Sequence, residues 1–291
     1  MQIQNNASHS ECGHVYVVPT PIGNLEDITF RALKTLEEVS VIAAEDTRHT
    51  KKLLNHFDIH TSLLSYHEHN KMSREEQLIS RLEKGESIAI VSDAGMPSIS
   101  DPGYELVQAA IKKDIPVVVL PGANAALCAL VGSGLPAKEF LFYGFLPRKK
   151  KEKLNELKRL ALYEATLIFY ESPYRLKNTL QAIREQVGDR QAVIARELTK
   201  RFEEYVRGSV EDLLAWSASH DLKGEYCIVV SGQQEKIEQQ TPLWWSSLTI
   251  KAHVNHYIKA DHLHPKAAIK CVAKDRQMPS RDVYQQFHID D

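Results

Sequence analysis

The sequence predicts an α/β protein, built as two α/β domains followed by a short helical appendage. Three observations carry that expectation. Short β-rich apolar runs alternate with stretches of helical period between residues 14 and 231. The runs of the first half, such as Val41-Ile42-Ala43-Ala44 and Ile88-Ala89-Ile90-Val91, are apolar at every position. Such continuity marks strands covered on both faces of a parallel sheet. The runs also tend to end in Pro, Gly, Asp, Asn or Ser, the residues that turn a chain.

Residues 1–13 read as a disordered polar leader with no apolar signal core. The first domain, 14–122, opens with the strand His14-Val15-Tyr16-Val17-Val18, stopped by Pro19 and Pro21. The helix after it takes Asp27 as its N-cap and buries Ile28, Leu33, Leu36 and Val39. Strands are expected at 41–44, 63–64, 88–91 and 117–120, and helices at 47–56, 74–84 and 103–113. The second domain, 123–232, begins with a helix at 123–131. Strands at 141–146 and 166–170 flank a basic helix, and a helix at 174–187, a strand at 192–196, a helix at 210–216 and a strand at 226–231 complete it. Residues 233–245 are polar and unpatterned and read as a linker. Residues 246–291 carry short helices near 248–258, 265–274 and after Ser280, the rhythm of a helix-turn-helix-like appendage.

Composition narrows the function. A formal net charge of -2 excludes a global basic field, so any nucleic-acid contact must come from a local patch. Cys12, Cys128, Cys227 and Cys271 are far apart and form no zinc spacing, and read as reduced thiols of a cytoplasmic protein. No apolar run approaches membrane-spanning length, and no membrane partner is expected.

Three strand-end turns stand out: Pro19-Thr20-Pro21-Ile22-Gly23-Asn24, Ser92-Asp93-Ala94-Gly95-Met96 and Pro121-Gly122-Ala123-Asn124-Ala125. Any one alone is an ordinary turn, but turns after strands one, four and five would face one crevice at the carboxyl ends of the sheet. None is a dinucleotide fingerprint or a P-loop. Asp93 and Asp101 lack further ligands at useful spacing, and His67 and His69 lack a third, so no metal is expected. Gly95 and Gly103 suggest positive φ or close backbone approach. Ser100-Asp101-Pro102-Gly103 reads as the cap of the next helix, with Pro102 in its first turn and Asp101 structural. Further on, Arg148, Lys149, Lys150, Lys151 and Lys153 open the basic helix, either as a solvated face or as phosphate contacts. Glu171 and Arg175 stand i, i+4 and could pair, while Arg196, Glu197 and Lys200 end another strand.

Taken together, PTPIGNLEDIT, AAEDTRHT, SDAGMPSISDPG, LPGANAA, GFLPRKKKEK, FYESPYRL and ARELTKRFEE resemble, in order and spacing, the bacterial small-subunit ribosomal RNA 2′-O-ribose cytidine methyltransferases of the tetrapyrrole-methylase superfamily. The resemblance runs from about residue 14 to 231, and the helical tail fits as well. It implies two α/β domains of the tetrapyrrole-methylase (class III methyltransferase) type with a cofactor cleft between them. It further implies S-adenosylmethionine as donor, S-adenosylhomocysteine as product, no metal, and a cytoplasmic homodimer. The substrate would be a cytidine ribose of 16S ribosomal RNA at the decoding centre, in free RNA or in the 30S subunit. Carried over, the cofactor would sit among Pro21, Ile22 and Gly23, then Asp93, Ala94, Gly95 and Met96, then Gly122, Ala123, Asn124 and Ala125. The second domain would add Tyr143, Phe169, Glu171, Arg196, Gly224 and Glu225. Met96 stands where the family has Thr, and Ala123-Asn124 where it has Pro and a small residue.

The implied reaction is in-line attack of a ribose 2′-oxygen on a sulfonium methyl, helped by positioning and by a base or a stabiliser of the developing alkoxide. Glu171 or Glu197 could accept the proton, and Arg196, Arg175 or Lys200 could stabilise the oxygen; the sequence does not choose among them. Arg148, Lys149, Lys150, Lys151, Lys153 and Arg175 are the RNA-contact candidates. Two alternatives stand beside this reading: methylation of a tetrapyrrole or another small or protein substrate on the same fold, and a non-catalytic RNA-binding protein. ESPYR, RELTK and the extra helices weigh against the former, and the three-turn crevice against the latter.

Overall fold

The structure is a computed structural model that describes residue 4 and residues 12–233, 244–245 and 247–288. Most of the expected leader and most of the expected linker lie outside the described residues. The chain divides into two compact units, Met1–Gln234 and Glu235–Asp291. Among the described residues no helix is long and apolar enough to cross a membrane.

The first unit contains two sheets. The first holds β1 (Val15–Val17), β2 (Val41–Ala44), β3 (Leu63–Ser65), β4 (Ile88–Val91) and β5 (Val117–Val119), all parallel, in the order β3-β2-β4-β1-β5. Its helices are α1 (Phe30–Glu38), α2 (Thr47–His56), α3 (Lys71–Glu83) and α4 (Tyr104–Lys112). The continuous apolar runs follow from this arrangement. Val41 and Ala43 meet Leu78, Leu82 and Leu106 on one face, while Ile42 and Ala44 meet Leu36 and Leu54 on the other. A strand buried on both faces has no polar position to offer. The order also sets β4, β1 and β5 side by side, so the turns leaving their carboxyl ends are neighbours.

Two helix starts differ from the expectation. Thr29, not Asp27, caps α1, accepting the Ala32 N–H at 3.0 Å. Asp27 belongs to a 3₁₀ turn, Leu25–Asp27, that Asn24 caps. Helix α4 starts at Tyr104 with Gly103 as N-cap at φ 140°, so Asp101 and Pro102 precede it and cap nothing. Glycine is required there, because a Cβ would lie 2.2 Å from the Ser98 hydroxyl.

The second sheet holds β6 (Phe140–Phe145), β7 (Thr166–Glu171), β8 (Gln191–Arg196), β9 (Glu204–Ser209) and β10 (Tyr226–Val230), ordered β6-β7-β10-β8-β9. Only β6 and β7 run parallel. Helix α5 (Ala125–Ser133) covers one face, with Ala126, Ala129 and Leu130 against Ile168, Val193 and Val229. Helices α6 (Lys150–Leu160), α7 (Pro173–Gln186) and α8 (Val210–Ser219) cover the other, with Leu157, Leu180 and Leu213 against Leu167, Phe169 and Ile228. Strand β9 is absent from the sequence expectation. It is an edge strand, Glu-Tyr-Val-Arg-Gly-Ser, whose polar content suits one paired side and carries no strand signature of its own.

The second unit packs α9 (Ile250–Ala260), α10 (Pro265–Asp275) and α11 (Ser280–His288) around Val254, Ala268, Ile269, Val272 and Val283. Its His253 is fully buried and stacked on Trp245 at 5.2 Å.

Within the first unit the turn after β1 meets the loop after β8. A Cβ on Gly23 would lie 2.5 Å from Lys200 Cγ, 2.8 Å from Thr199 Oγ1 and 3.0 Å from the Leu198 carbonyl. That loop has little freedom to yield, since Glu197 and Thr199 are already held at φ 50° and 65°, in the left-handed region. Gly23→Ala is expected to cost about 1–3 kcal/mol by overpacking, read as a lowered urea midpoint with the urea slope unchanged.

Candidate functional site

The three turns form one surface. Thr20 and Gly95 exchange both backbone hydrogen bonds, at 2.9 and 3.0 Å, as an isolated antiparallel bridge. The Thr20 hydroxyl donates to the Ser92 carbonyl at 3.1 Å, and the Ser92 hydroxyl donates to the Gly95 carbonyl at 3.2 Å. Gly95 sits at φ 80°, and a Cβ there would press Ile22 Cγ2 at 3.1 Å. Gly122 lies against Pro19, where a Cβ would reach the ring at 2.7 Å. Asn124 accepts the Leu127 N–H at 3.1 Å and caps α5. Its presence where the resemblance leads one to expect a small residue therefore has a local reason, while nothing in the structure explains Met96 in place of Thr.

This surface is one wall of a cavity of about 310 Å³, a size suited to a small organic ligand. Ile22, Ala94, Gly95, Met96, Asn124 and Ala125 form that wall. Phe145, Tyr170, Glu171, Gly224, Glu225 and Tyr226 face it from the second sheet. Three acidic residues are among those that line the cavity, Asp101, Glu171 and Glu225, and no Lys, Arg or His does so among the described residues; the Glu171 carboxylate is itself fully buried and turned toward α6 and α7.

Glu171 and Glu225 are engaged. Glu171 is 2% exposed; its Oε1 accepts the Ser172 N–H at 2.8 Å and faces Arg175 Nε at 3.2 Å. Its Oε2 accepts the Thr179 hydroxyl at 2.6 Å, and that oxygen in turn accepts from Lys153 Nζ at 2.8 Å. Lys153 is 6% exposed, and burial pulls its pKa below the ordinary lysine value while Glu171 pushes it back up. Lys200 Nζ bridges Glu197 and Glu225, both at 3.1 Å. Burial disfavours the Lys200 charge, but these two carboxylates outweigh it and raise its pKa.

Asp101 differs. No hydrogen bond or ion pair holds its carboxylate among the described residues. Burial, and then the neighbouring Asp93 charge, push its pKa up to about 6. Asp93 itself accepts the Asp46 N–H at 3.1 Å, and Glu45 nearby is raised by burial and by Asp101 and Asp93. The loop end that reads in sequence as a helix cap is thus a half-buried acid facing a cavity. The signal available was its place past a strand end, which Pro102 disguised.

The remaining expected residues divide clearly. Pro21, Gly23, Asp93, Gly122 and Ala123 are not among the residues that line the cavity. Phe169 is fully buried in the core on the far face of the second sheet, with Tyr143 partly buried beside it at 6.0 Å. Their neighbours Tyr170 and Phe145 face the cavity instead, because side chains alternate along a strand and a register shift at Phe142/Gly144 re-aims the end of β6. Tyr170 accepts the Ala126 N–H at 3.1 Å, and burial raises its pKa. Arg196 pairs across strands with Glu204 at 3.0 Å, at an angle that is not a hydrogen bond's. Glu197 and Lys200 lie in the ion-pair cluster, outside the lining set. Arg148, Lys149, Lys150 and Lys151 are exposed, Lys153 is buried, and Arg175 is half-buried and donates to the Leu146 carbonyl at 2.6 Å. His67 Nε2 lies 3.3 Å from the Asn70 amide, and no group of three metal-ligating side chains gathers among the described residues.

The chain matches the family model of Tetrapyrrole (Corrin/Porphyrin) Methylases over residues 14–214. It is 54% identical over 285 residues to a ribosomal RNA small subunit methyltransferase I of Halalkalibacterium halodurans, covering 98% of each chain. The protein of the same description from Bacillus subtilis is 51% identical over 280 residues, covering 96% of each. In fold, it is similar to a uroporphyrin-III C-methyltransferase from Thermus thermophilus complexed with S-adenosylhomocysteine: TM-score 0.52, 19% identity, 76% of this chain and 98% of the other.

Replacing the hydroxyl between Glu171 and Lys153 tests the buried network without touching either charge. Thr179→Val is expected to lose about 2–3 kcal/mol of stability, the cost of leaving two buried polar groups short of a partner, measured by urea unfolding.

Proposed function

The chain belongs to the tetrapyrrole (corrin/porphyrin) methylase family, and from that premise we propose that it transfers a methyl group from S-adenosylmethionine to small-subunit ribosomal RNA, at the 2′-oxygen of a cytidine of the decoding centre. The observation that carries the donor is the charge of the cavity wall. The unpaired Asp101 carboxylate faces the cavity, and no Lys, Arg or His lines it among the described residues, at the carboxyl ends of parallel strands. A sulfonium is a ligand that such a wall attracts rather than repels. Ile22, Ala94, Gly95, Met96, Asn124 and Ala125 would hold the donor against Gly224 and Tyr226.

When bound, the donor supplies a methyl already activated by its positive sulfur. The chain's own tasks are orientation and proton removal. The bridge between Thr20 and Gly95 and the cap on α5 hold one wall rigid; the Glu171 and Lys200 clusters hold the other. Asp101 is the lining carboxylate with capacity to spare, so it accepts the proton of the attacking hydroxyl at its Oδ atoms. Glu171, Glu197, Arg196 and Lys200 are positioning residues, each committed to a neighbour in the protein.

Support for an RNA substrate comes from the relatives, whose description names ribosomal RNA and which align over 98% and 96% of this chain. The family model stops at residue 214, so the C-terminal helices are shared with those relatives rather than with the family at large. A cytoplasmic homodimer is part of the proposal. Leu127 and Val131, 48% and 77% exposed one turn apart on α5, with Phe140 at 43%, offer an apolar face for a second copy.

Tritium transfer from the donor tests the reading. Small-subunit RNA lacking the modification should be labelled and a porphyrinogen should not. Asp101→Asn should lower kcat by about a hundredfold or more with the RNA KM little changed. In the wild type an ionised Asp101 is the competent form. The kcat/KM for the donor should hold above pH 6 and fall below it, by up to about tenfold per pH unit, a dependence that Asp101→Asn removes.

A further inference from the structure

A second cavity, of about 450 Å³, lies between the start of α6 and the outer face of α7. Arg148 and Lys150 form its rim; Lys153, Arg175, Asn178 and Gln181 are among the residues below, and Glu185 is its one acid. Four cations against one carboxylate contrasts with the first cavity, which no Lys, Arg or His lines among the described residues. Its two deeper cations are immobilised: Lys153 by Thr179, and Arg175 by Glu171 and the Leu146 carbonyl. Arg148 and Lys150 have no side-chain partner among the described residues, and the first backbone N–H groups of α6 emerge beside them without a side-chain cap. Lys153 is desolvated next to Arg175, an arrangement an anion would relieve.

The two cavities share a partition. Glu171 lines the first, and the partners of its carboxylate, Arg175 directly and Lys153 through Thr179, line the second. We propose that the basic cavity is a phosphate site for the substrate RNA, taking a backbone phosphodiester near the target ribose on the opposite side of Glu171 from the methyl-transfer cavity. Arg148 and Lys150 grip the phosphate, and Arg175 and Lys153 provide the fixed positive floor. The site positions the strand and carries no base preference. This rests on the RNA reading above and gives it a place on the molecule.

Arg148→Ala/Lys150→Ala removes only exposed rim charge, and Lys34→Ala/Lys113→Ala removes equal charge beside the first sheet. The readouts are binding of unmodified small-subunit RNA across a salt series, donor affinity by calorimetry, and methyl transfer. The rim pair should weaken RNA about tenfold and flatten the plot of log affinity against log salt by about 0.7–0.9, the share of one phosphate. Donor affinity should not move, and kcat at saturating RNA should be largely kept. RNA affinity and slope equal to wild type, or an equal loss in the control pair, would overturn the site. If wild type transfers no methyl to the RNA yet binds it with a slope that the rim pair lowers, the methylation reading fails and the phosphate site stands.

Discussion

A carboxylate taken out of water must be answered by the protein around it, and in this fold that carboxylate is Glu171. It ends β7, accepts the first N–H of the turn into α7, and fixes Thr179, Arg175 and, through Thr179, Lys153 of α6. One ionised group therefore ties the end of a central strand to two helices. Removing Glu171, or the cations that answer it, would leave a buried charge uncompensated. Everything that makes the second sheet half of a site depends on that tie: the apolar faces of Phe145 and Tyr170 in front, and the cations behind.

The first domain was legible almost strand by strand. Its central strands β2 and β4 are buried at every position and so are uninterrupted apolar runs; β2, β4 and α2 fall where the pattern puts them, and the other elements start or end within a few residues of it. The second domain was less so. Its sheet is mostly antiparallel, and its edge strand β9 needs only one paired side, so Glu204-Tyr205-Val206-Arg207-Gly208-Ser209 carries no apolar signature. Helix starts were hardest where two cap-type residues stand close together. Asp27 and Thr29 both qualify, and the register of Ala32 and Leu36 against the sheet decides for Thr29.

For the site, the sequence located the turns better than the side chains. The three strand-end turns are neighbours because β4, β1 and β5 are, a consequence of sheet order that turn composition only hints at. Facing was beyond reach. Tyr143 lies two residues from Phe145 and Phe169 one from Tyr170, yet a period of two and a single register shift send each pair to opposite sides of the sheet. Asp101 and Glu171 exchange the parts their motifs suggest. The acid in the Pro-Gly loop is the one without partners, and the acid beside the helix start is the one fully bound.

That exchange has an electrostatic logic. A donor carrying a sulfonium and an RNA carrying phosphodiesters place opposite charges within a few ångströms of the reacting oxygen. A site lined with one sign would attract one and repel the other. Here the unpaired Asp101 carboxylate faces the first cavity and the cations the second, with the buried Glu171 carboxylate between them, paired toward the cations. Its charge is spent on Arg175 and Thr179, so it lends little repulsion to a phosphate behind it. Asp101, on the opposite wall, keeps its charge unshared at the cost of a raised pKa. Burial and the repulsion from Asp93 that raise that pKa also make Asp101 a better proton acceptor, because a carboxylate stabilised by a salt bridge would hold a proton less readily. Separating the two signs of charge across one buried side chain thus lets a chain with net charge -2 offer a base to a hydroxyl and a cationic floor to a phosphate.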